Sequence, residues 1–303
     1  MRAERERLNA KIVAENLRLG AEARELTSEE ELCYLILVSG GSCNVQWDGQ
    51  TTLAAPGCAL LLGPGSGRLQ QAMACTAQLA HMSYRIGPDG TLLASPLPDT
   101  LRGGLLMLSD EGGTYPDAPE GLCRQLVQEC LRRRYAGVVL DAMPPEGFCR
   151  TLDELLARQE RQLYLPEAAA GYAPHGTALL CTALASGSLE DRLAAAAEKW
   201  GPERLALDLQ RMMLDYPLSA GGEAAALTPP RLHALAEGRA TYFSRPLCAR
   251  YFTYRTDSGS RFVLFDDVQT LRMKMDMAEK LGIRQGFFMF PEVEDLAQSL
   301  LGP

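Results

Sequence analysis

Three acids stand where an apolar run gives way to a turn, and such positions let a carboxyl do chemistry. Asp141 lies in GVVLDA (137–142), and a carboxylate inside an apolar run needs either solvent or hydrogen-bond partners, which a ligand or the fold itself can supply. Glu146 follows Met143 across Pro144-Pro145, and Glu167 closes the run QLYLPE (162–167). Two carboxyls facing one cavity can serve as general acid and base, a positioned group contributing about 10²–10⁴-fold to a rate. Asp141 with Glu146 or Glu167 would form such a pair. Three residues of extended chain, however, span up to about 10 Å, and the two prolines stiffen the approach from Met143 to Glu146. Glu146 then reads as a solvated acid before the next helix, and Glu167 as an ordinary loop carboxylate.

Metal and cofactor chemistry is not indicated. His81, His175 and His233 are widely separated, and the nine cysteines (33, 43, 58, 75, 123, 130, 149, 181 and 248) contain no CxxC pair. Their odd number favours reduced structural thiols over a zinc site or disulfide framework. No cofactor and no metal are expected. Thirty-eight acidic against thirty basic residues give a formal charge of −8, which disfavours nucleic acid as a partner. The basic run LRRRYAG (131–137) ends a helix, where cations complement the dipole. The opening MRAERERLNAKIVAENLRLG lacks the continuous apolar stretch of a secretory signal, and no later stretch looks long and apolar enough to cross a bilayer. A cytoplasmic chain without membrane contact is the expectation.

The elements that must hold these residues follow from periodicity. With 303 residues, 47% of them hydrophobic, the chain can bury a large core. Leu8, Ile12, Leu17 and Leu19 among many charges predict a helical arm over 1–25. Residues 26–57 read as a small β region with hairpin signals at Gly40-Gly41, Asp48-Gly49 and Pro56-Gly57. From 58 to 303, short apolar runs alternate with helical stretches. Eight strands are predicted, at 58–63, 76–86, 104–110, 137–142, 162–167, 178–184, 204–209 and 286–290, with helices clearest at 119–134, 151–161, 188–199 and 267–281. That order predicts an α/β fold, a (β/α)8 TIM barrel, with a small β insertion at about 240–266 between strands seven and eight. A competing parse makes residues 26–90 a cupin-type sensor module, leaving the barrel incomplete. The two differ over residues 58 to about 90, and the eight-strand parse is preferred because a barrel must close.

The most specific patterns lie near the C-terminus. YFTY (251–254), DSG (257–259) and FVLFDDVQTLRMKMDMAEKLGIRQGFFMF (262–290) match a Tyr-Phe-x-Tyr hairpin, a Val-Trp-Phe-Glu-Asp turn, an Ala-Lys-Leu helix and a Gly-Val-x-x-Trp last strand, with Phe265, Asp267, Lys274, Gly282 and Gly286 in register. RLALDLQRMMLDYPL (204–218) and MSYRIGPDGTL (82–92) extend the match. In these features the chain resembles glycoside hydrolase family 18 barrels of the bacterial spore-cortex type, over about residues 58–300. The resemblance implies an active site at the C-terminal strand ends, built on Asp-x-x-Asp-x-Asp-x-Glu at strand four, whose Glu protonates the glycosidic oxygen while the substrate's own acetamido group attacks. On that motif Ala136 takes the place of the first acid, Val139 the second, Asp141 the third and Met143 the Glu. A thioether cannot donate a proton. The strand-six Met-Thr-Tyr-Asp becomes Cys181-Thr182-Ala183-Leu184, without the Tyr and Asp that contact the sugar.

The resemblance therefore implies a catalytically degenerate, chitinase-like pseudoenzyme that binds or scaffolds, with an N-acetylated glycan, a peptidoglycan fragment or a protein as partner and an association with sporulation. Asp141, Asp215, Tyr216, Arg211, Met212 and Phe290 are the candidate ligand contacts, Phe290 taking the place of the last-strand Trp on which a sugar stacks. Plain core packing is the rival reading of Phe290. A pure scaffold would pack Met143, Met212 and Phe290 against each other. A glycosidase with altered chemistry would instead use Asp141 with Glu146 or Glu167.

Overall fold

The structure, a computed structural model, describes residues 80–94, 102–110, 113–218, 224–257, 259–293, 295–296 and 299–300, and before residue 80 the backbone of seven strands. The chain divides into two compact units, Met1–Gly176 and Thr177–Pro303.

The first unit opens with β1 (Arg2–Arg5), β2 (Ala10–Arg18), β3 (Arg24–Glu25), β4 (Leu32–Gly40), β5 (Cys43–Trp47), β6 (Gln50–Ala54) and β7 (Ala59–Leu62). They form a four-stranded sheet in the order β1-β2-β4-β7 and a three-stranded sheet β3-β5-β6. β5 and β6 pair antiparallel with Trp47 opposite Gln50, and the predicted turn residues Asp48 and Gly49 lie outside the described residues. Two expectations are corrected here. The predicted N-terminal helix is replaced by β1 and β2, because Ala10–Arg18 finds ladder partners on both sides, antiparallel β1 and parallel β4, and tertiary pairing overrides a weak 3.6-residue stripe. The predicted first barrel strand is β7, and it pairs antiparallel with β4 rather than joining the parallel strands.

The rest of this unit alternates strand and helix: β8 (Ala80–Ile86), β9 (Leu92–Ala94), β10 (Leu105–Ser109), α1 (Glu120–Arg133), β11 (Gly137–Leu140), α2 (Glu146–Ala157) and β12 (Gln162–Pro166). β8, β10, β11 and β12 run parallel in that order, and β9 folds back antiparallel on β8. All four residues of β11, GVVL, are buried, as continuous apolar runs are when both sheet faces are covered. Leu122, Leu126 and Cys130 of α1 and Phe148, Leu152 and Leu156 of α2 recur every four residues and pack on Leu106, Leu108, Val138, Leu140, Leu163 and Leu165. At Gly137 a Cβ would lie 2.1 Å from the Gln162 carbonyl oxygen, so only glycine lets β11 and β12 close here.

The second unit holds parallel β13 (Thr177–Cys181), β14 (Leu205–Asp208) and β20 (Gly286–Phe287), with α3 (Leu189–Trp200) between the first two. Between β14 and β20 in sequence lies an antiparallel sheet of β15 (Met213–Pro217), β16 (Ala225–Ala226), β17 (Tyr242–Ser244), β18 (Ala249–Thr256) and β19 (Gly259–Phe265), in the order β16-β15-β19-β18-β17. It begins well before the predicted 240–266. α4 (Pro229–Ala236) covers one face through Leu232 and Leu235, against Phe252, Val263 and Phe265. α5 (Val268–Lys280) starts with a reciprocal capping box between Asp267 and Thr270, and α6 (Phe290–Val293) follows β20. The two units thus hold seven parallel strands among the described residues, where eight were expected. No helix of the described residues is long and apolar enough to cross a membrane.

Candidate functional site

At β11 the alternation of side chains sorts the candidate residues. Val138 and Leu140 pack on the helices, so Val139 belongs to the opposite face, beside its register partner Tyr164 on β12. Leu108 O accepts from the Asp141 amide at 3.1 Å, which carries the ladder one residue past β11 and keeps Asp141 in the file of Val139. Asp141 is exposed and Met143, two residues on, is 55% exposed. Ala136 precedes the strand, also exposed, its amide bonded to Gly104 O at 2.8 Å.

The other acids separate. Glu146 is the first residue of α2 and makes an exposed ion pair with Arg150 one turn on. Glu167 is the first residue of a short 3₁₀ turn after β12 and is half-buried. Asp110, which the sequence reading did not single out, ends the β10 run much as Asp141 ends β11. Its parity is that of Leu106 and Leu108, and with burial and Cys149 its charge pushes the Tyr115 hydroxyl up, so it belongs to the helix side.

In the second unit, β13 ends in Cys181, whose thiol donates to Gln210 Oε1 at 3.6 Å, and Gln210 Nε2 donates to Asp208 Oδ2 at 2.9 Å. Burial raises the Cys181 thiol, and it pushes Cys123 and Cys130 up to about 12 and Cys149 to about 11, so these thiols are inert at neutral pH. Among the described residues no group of three or more His, Cys, Asp or Glu could hold a metal ion.

Three sequence-predicted contacts are committed within the protein. Asp215, 6% exposed, accepts from Arg261 Nε at 2.9 Å and from Tyr254 Oη at 2.7 Å. Arg211 donates to Glu292 O at 3.0 Å and pairs with Asp295, its side chain 5% exposed. Met212 is buried with Ala249 and Leu264. Its amide donates to Asp266 Oδ2 at 3.0 Å, and the same carboxylate receives Lys274 Nζ at 2.7 Å and the Thr270 hydroxyl at 2.8 Å. Both ionised groups are fully buried, which makes this cluster a pin for α5 and the strand ends rather than a ligand site. The i, i+4 spacing of Thr270 and Lys274 on one face of α5, with Asp266 just before its cap, is the signal that could have found it. Phe290 is corrected: the final strand stops at Phe287, and Phe290 opens α6.

Tyr216 has company that the sequence reading missed. Its ring lies 6.3 Å from Phe262, which lies 5.3 Å from Tyr251, which lies 5.6 Å from Tyr242, a ladder across β15, β19, β18 and β17. The first three rings are half-buried over Met212, Ala249 and Leu264, while Tyr242 is 56% exposed.

Among solved structures the chain is similar to a chitinase of Chromobacterium violaceum, at 14% identity and TM-score 0.61, covering 78% of this chain and 94% of the chitinase. It is similar to the spore cortex-lytic enzyme SleL of Bacillus megaterium QM B1551, at 16% identity and TM-score 0.55, covering 83% and 79%. A GH18 chitinase of Cycas revoluta in complex with (GlcNAc)4 is similar at 13% identity and TM-score 0.50, covering 78% and 92%. No protein-family model and no curated protein sequence matches the chain. At these identities the likeness defines a fold, the one shared by chitinases and spore cortex-lytic enzymes of the family 18 type. It is the class that the residues of 58–300 resemble.

Proposed function

We propose that the chain is a non-catalytic member of this fold class that binds an N-acetylated glycan or a peptidoglycan fragment. The observation that carries the reading is the end of β11: Val139 buried, Asp141 exposed, and, two residues on, an exposed thioether, Met143, at the position that the resemblance gives to the proton donor. Sulfur in a thioether has no proton to give, and loss of a positioned general acid costs about 10²–10⁴-fold in rate. The ion pair of Glu146 with Arg150, in the first turn of α2, supports its reading as a surface acid rather than a substitute donor. The exposure of Met143 weighs against a pure scaffold, for which Met143 would be packed away with Met212 and Phe290. Bound (GlcNAc)4 in the Cycas revoluta chitinase suggests the ligand class.

The test is to incubate the purified chain with N-acetylglucosamine oligomers and peptidoglycan fragments and to record binding and cleavage together. Binding without turnover is the expected result. Turnover that disappears on Asp141→Asn or Glu146→Gln would overturn the reading and restore the glycosidase alternative.

A second reading concerns residues 26–90 alone, as a cupin-type sensor module. The antiparallel pairing of β7 with β4 favours it as far as β7, while β8 runs parallel to β10 and so would fall outside such a module. Displacement of small-molecule ligands from the intact chain, unaffected by changes at Asp141, is the outcome it requires.

A further inference from the structure

Parity and register set one row of side chains across the strand ends of the first unit. Tyr84 and Ile86 of β8 are buried with the helices, so Arg85 between them faces the other way, and it is exposed. Arg85 is paired with Leu93 of β9 on one side and with Ser109 of β10 on the other. Leu108 pairs with Leu140, so one residue further on Ser109 stands beside Asp141. Leu93, Arg85, Ser109 and Asp141 therefore form a row over four strand ends, on the face turned away from α1 and α2. Beneath the row, the register partners Met107, Val139 and Tyr164 are all buried and close the floor. In this acidic chain other arginines are matched to carboxylates: Arg133 to Glu129, Arg150 to Glu146, Arg250 to Asp267 and Arg261 to Asp215. The Arg85 guanidinium has no hydrogen-bond or ion-pair partner among the described residues.

We propose that Arg85, with Ser109 beside it, forms a carboxylate subsite and makes the strand-end site select a glycan with an acidic substituent over a neutral one. The proposal rests on the glycan reading above and names the specificity of that same site. A guanidinium receives a carboxylate through two parallel N–H···O bonds, and a serine hydroxyl can donate one more. Leu93, 36% exposed on the far side of Arg85, offers an apolar surface to the aliphatic part of the substituent. Strands lie about 4.8 Å apart, so two spacings, roughly 10 Å, separate Arg85 from Asp141. Asp141 repels an anion and accepts from N–H and O–H groups. The row is thus polarised, and it orients the ligand with its acid toward β8 and its hydrogen-bond donors toward β11. A single unmatched cation suits one carboxylate, whereas a nucleic acid needs several.

Calorimetric titration of the full chain tests this with three probes: the disaccharide of N-acetylglucosamine and N-acetylmuramic acid with its lactyl carboxylate free, the same disaccharide with that carboxylate amidated, and chitobiose, which lacks the lactyl group. The free acid is expected to bind about five- to tenfold more tightly than the other two, and the preference is expected to shrink as salt is raised. Arg85→Gln is expected to bring the free acid down to the affinity of its amide, at an unchanged melting temperature because the side chain is exposed, and Arg85→Lys to restore part of the difference. Equal affinity of the wild type for the acid and its amide would overturn this inference and leave the glycan reading standing. A preference for the acid that survives Arg85→Gln would overturn it as well, and failure of all three sugars to bind would overturn the two readings together.

Discussion

His81 sits at the start of β8, its ring 5.5 Å from that of Tyr135 and its Nε2 3.3 Å from the Gly103 carbonyl oxygen. Burial lowers its pKa; the Gly103 carbonyl pulls the other way, and the charge of Arg133 lowers it further. The folded chain therefore resists a proton that the unfolded chain accepts below about pH 6.5. The neutral ring's contribution to stability is complete above that value and is lost as pH falls from about 6.5 toward the folded pKa, with a slope of at most about 1.4 kcal/mol per pH unit. Urea unfolding of the wild type between pH 7.5 and 5 is expected to show this loss, and His81→Phe, which keeps a ring against Tyr135, is expected to remove it. An unaltered slope in the variant would assign the acid sensitivity elsewhere. His81 was legible in the sequence only as a poor metal ligand, because its burial depends on Tyr135 and Gly103, which are distant in the chain.

At the scale of elements, three of the four clearest helices were legible almost to the residue: 119–134 was predicted and Glu120–Arg133 found, 188–199 predicted and Leu189–Trp200 found, 267–281 predicted and Val268–Lys280 found, whereas 151–161 was predicted and Glu146–Ala157 found. Four-residue apolar spacing marks α1 locally, and α5 adds the capping box of Asp267 and Thr270. Strand membership was less legible, since a short apolar run such as ALLL does not say which partner it will pair with. β7 went to β4 for that reason. Where a strand pair is held by close backbone approach, one atom is enough to test the register. A Cβ on residue 137 would lie 2.1 Å from Gln162 O, with the backbone carbon of the same residue at 2.8 Å, and neither neighbour is a flexible side-chain tip. Gly137→Ala is expected to force β11 and β12 apart and to destabilise the chain by about 1–3 kcal/mol, read as a lowered denaturant midpoint. A midpoint like the wild type's would mean that β11 and β12 do not pair Gly137 with Gln162. Because Asp141 follows β11 directly, the same variant is expected to weaken any ligand held at that strand end.

For the whole molecule, composition carries a prediction that neither the site nor the fold does. The formal charge of −8 corresponds to a sequence pI of about 5.1, so mutual repulsion between copies fades as pH approaches that value. The stability contributed by neutral His81 declines over the interval just above it. Acidification thus removes a barrier to association and weakens the folded state in one pH range, and the two effects can be separated because they respond to different changes. Light scattering at fixed concentration is expected to rise between about pH 6 and 5. His81→Phe is expected to raise the urea midpoint at pH 5.5 relative to the wild type while leaving the pH of minimum solubility near 5.1, since one imidazole barely alters the net charge. Replacing three exposed acids with their amides should move the solubility minimum upward and leave the slope of stability against pH in place. If both readouts moved together in either variant, acid sensitivity would be a single process, with unfolding as its cause and net charge as a bystander.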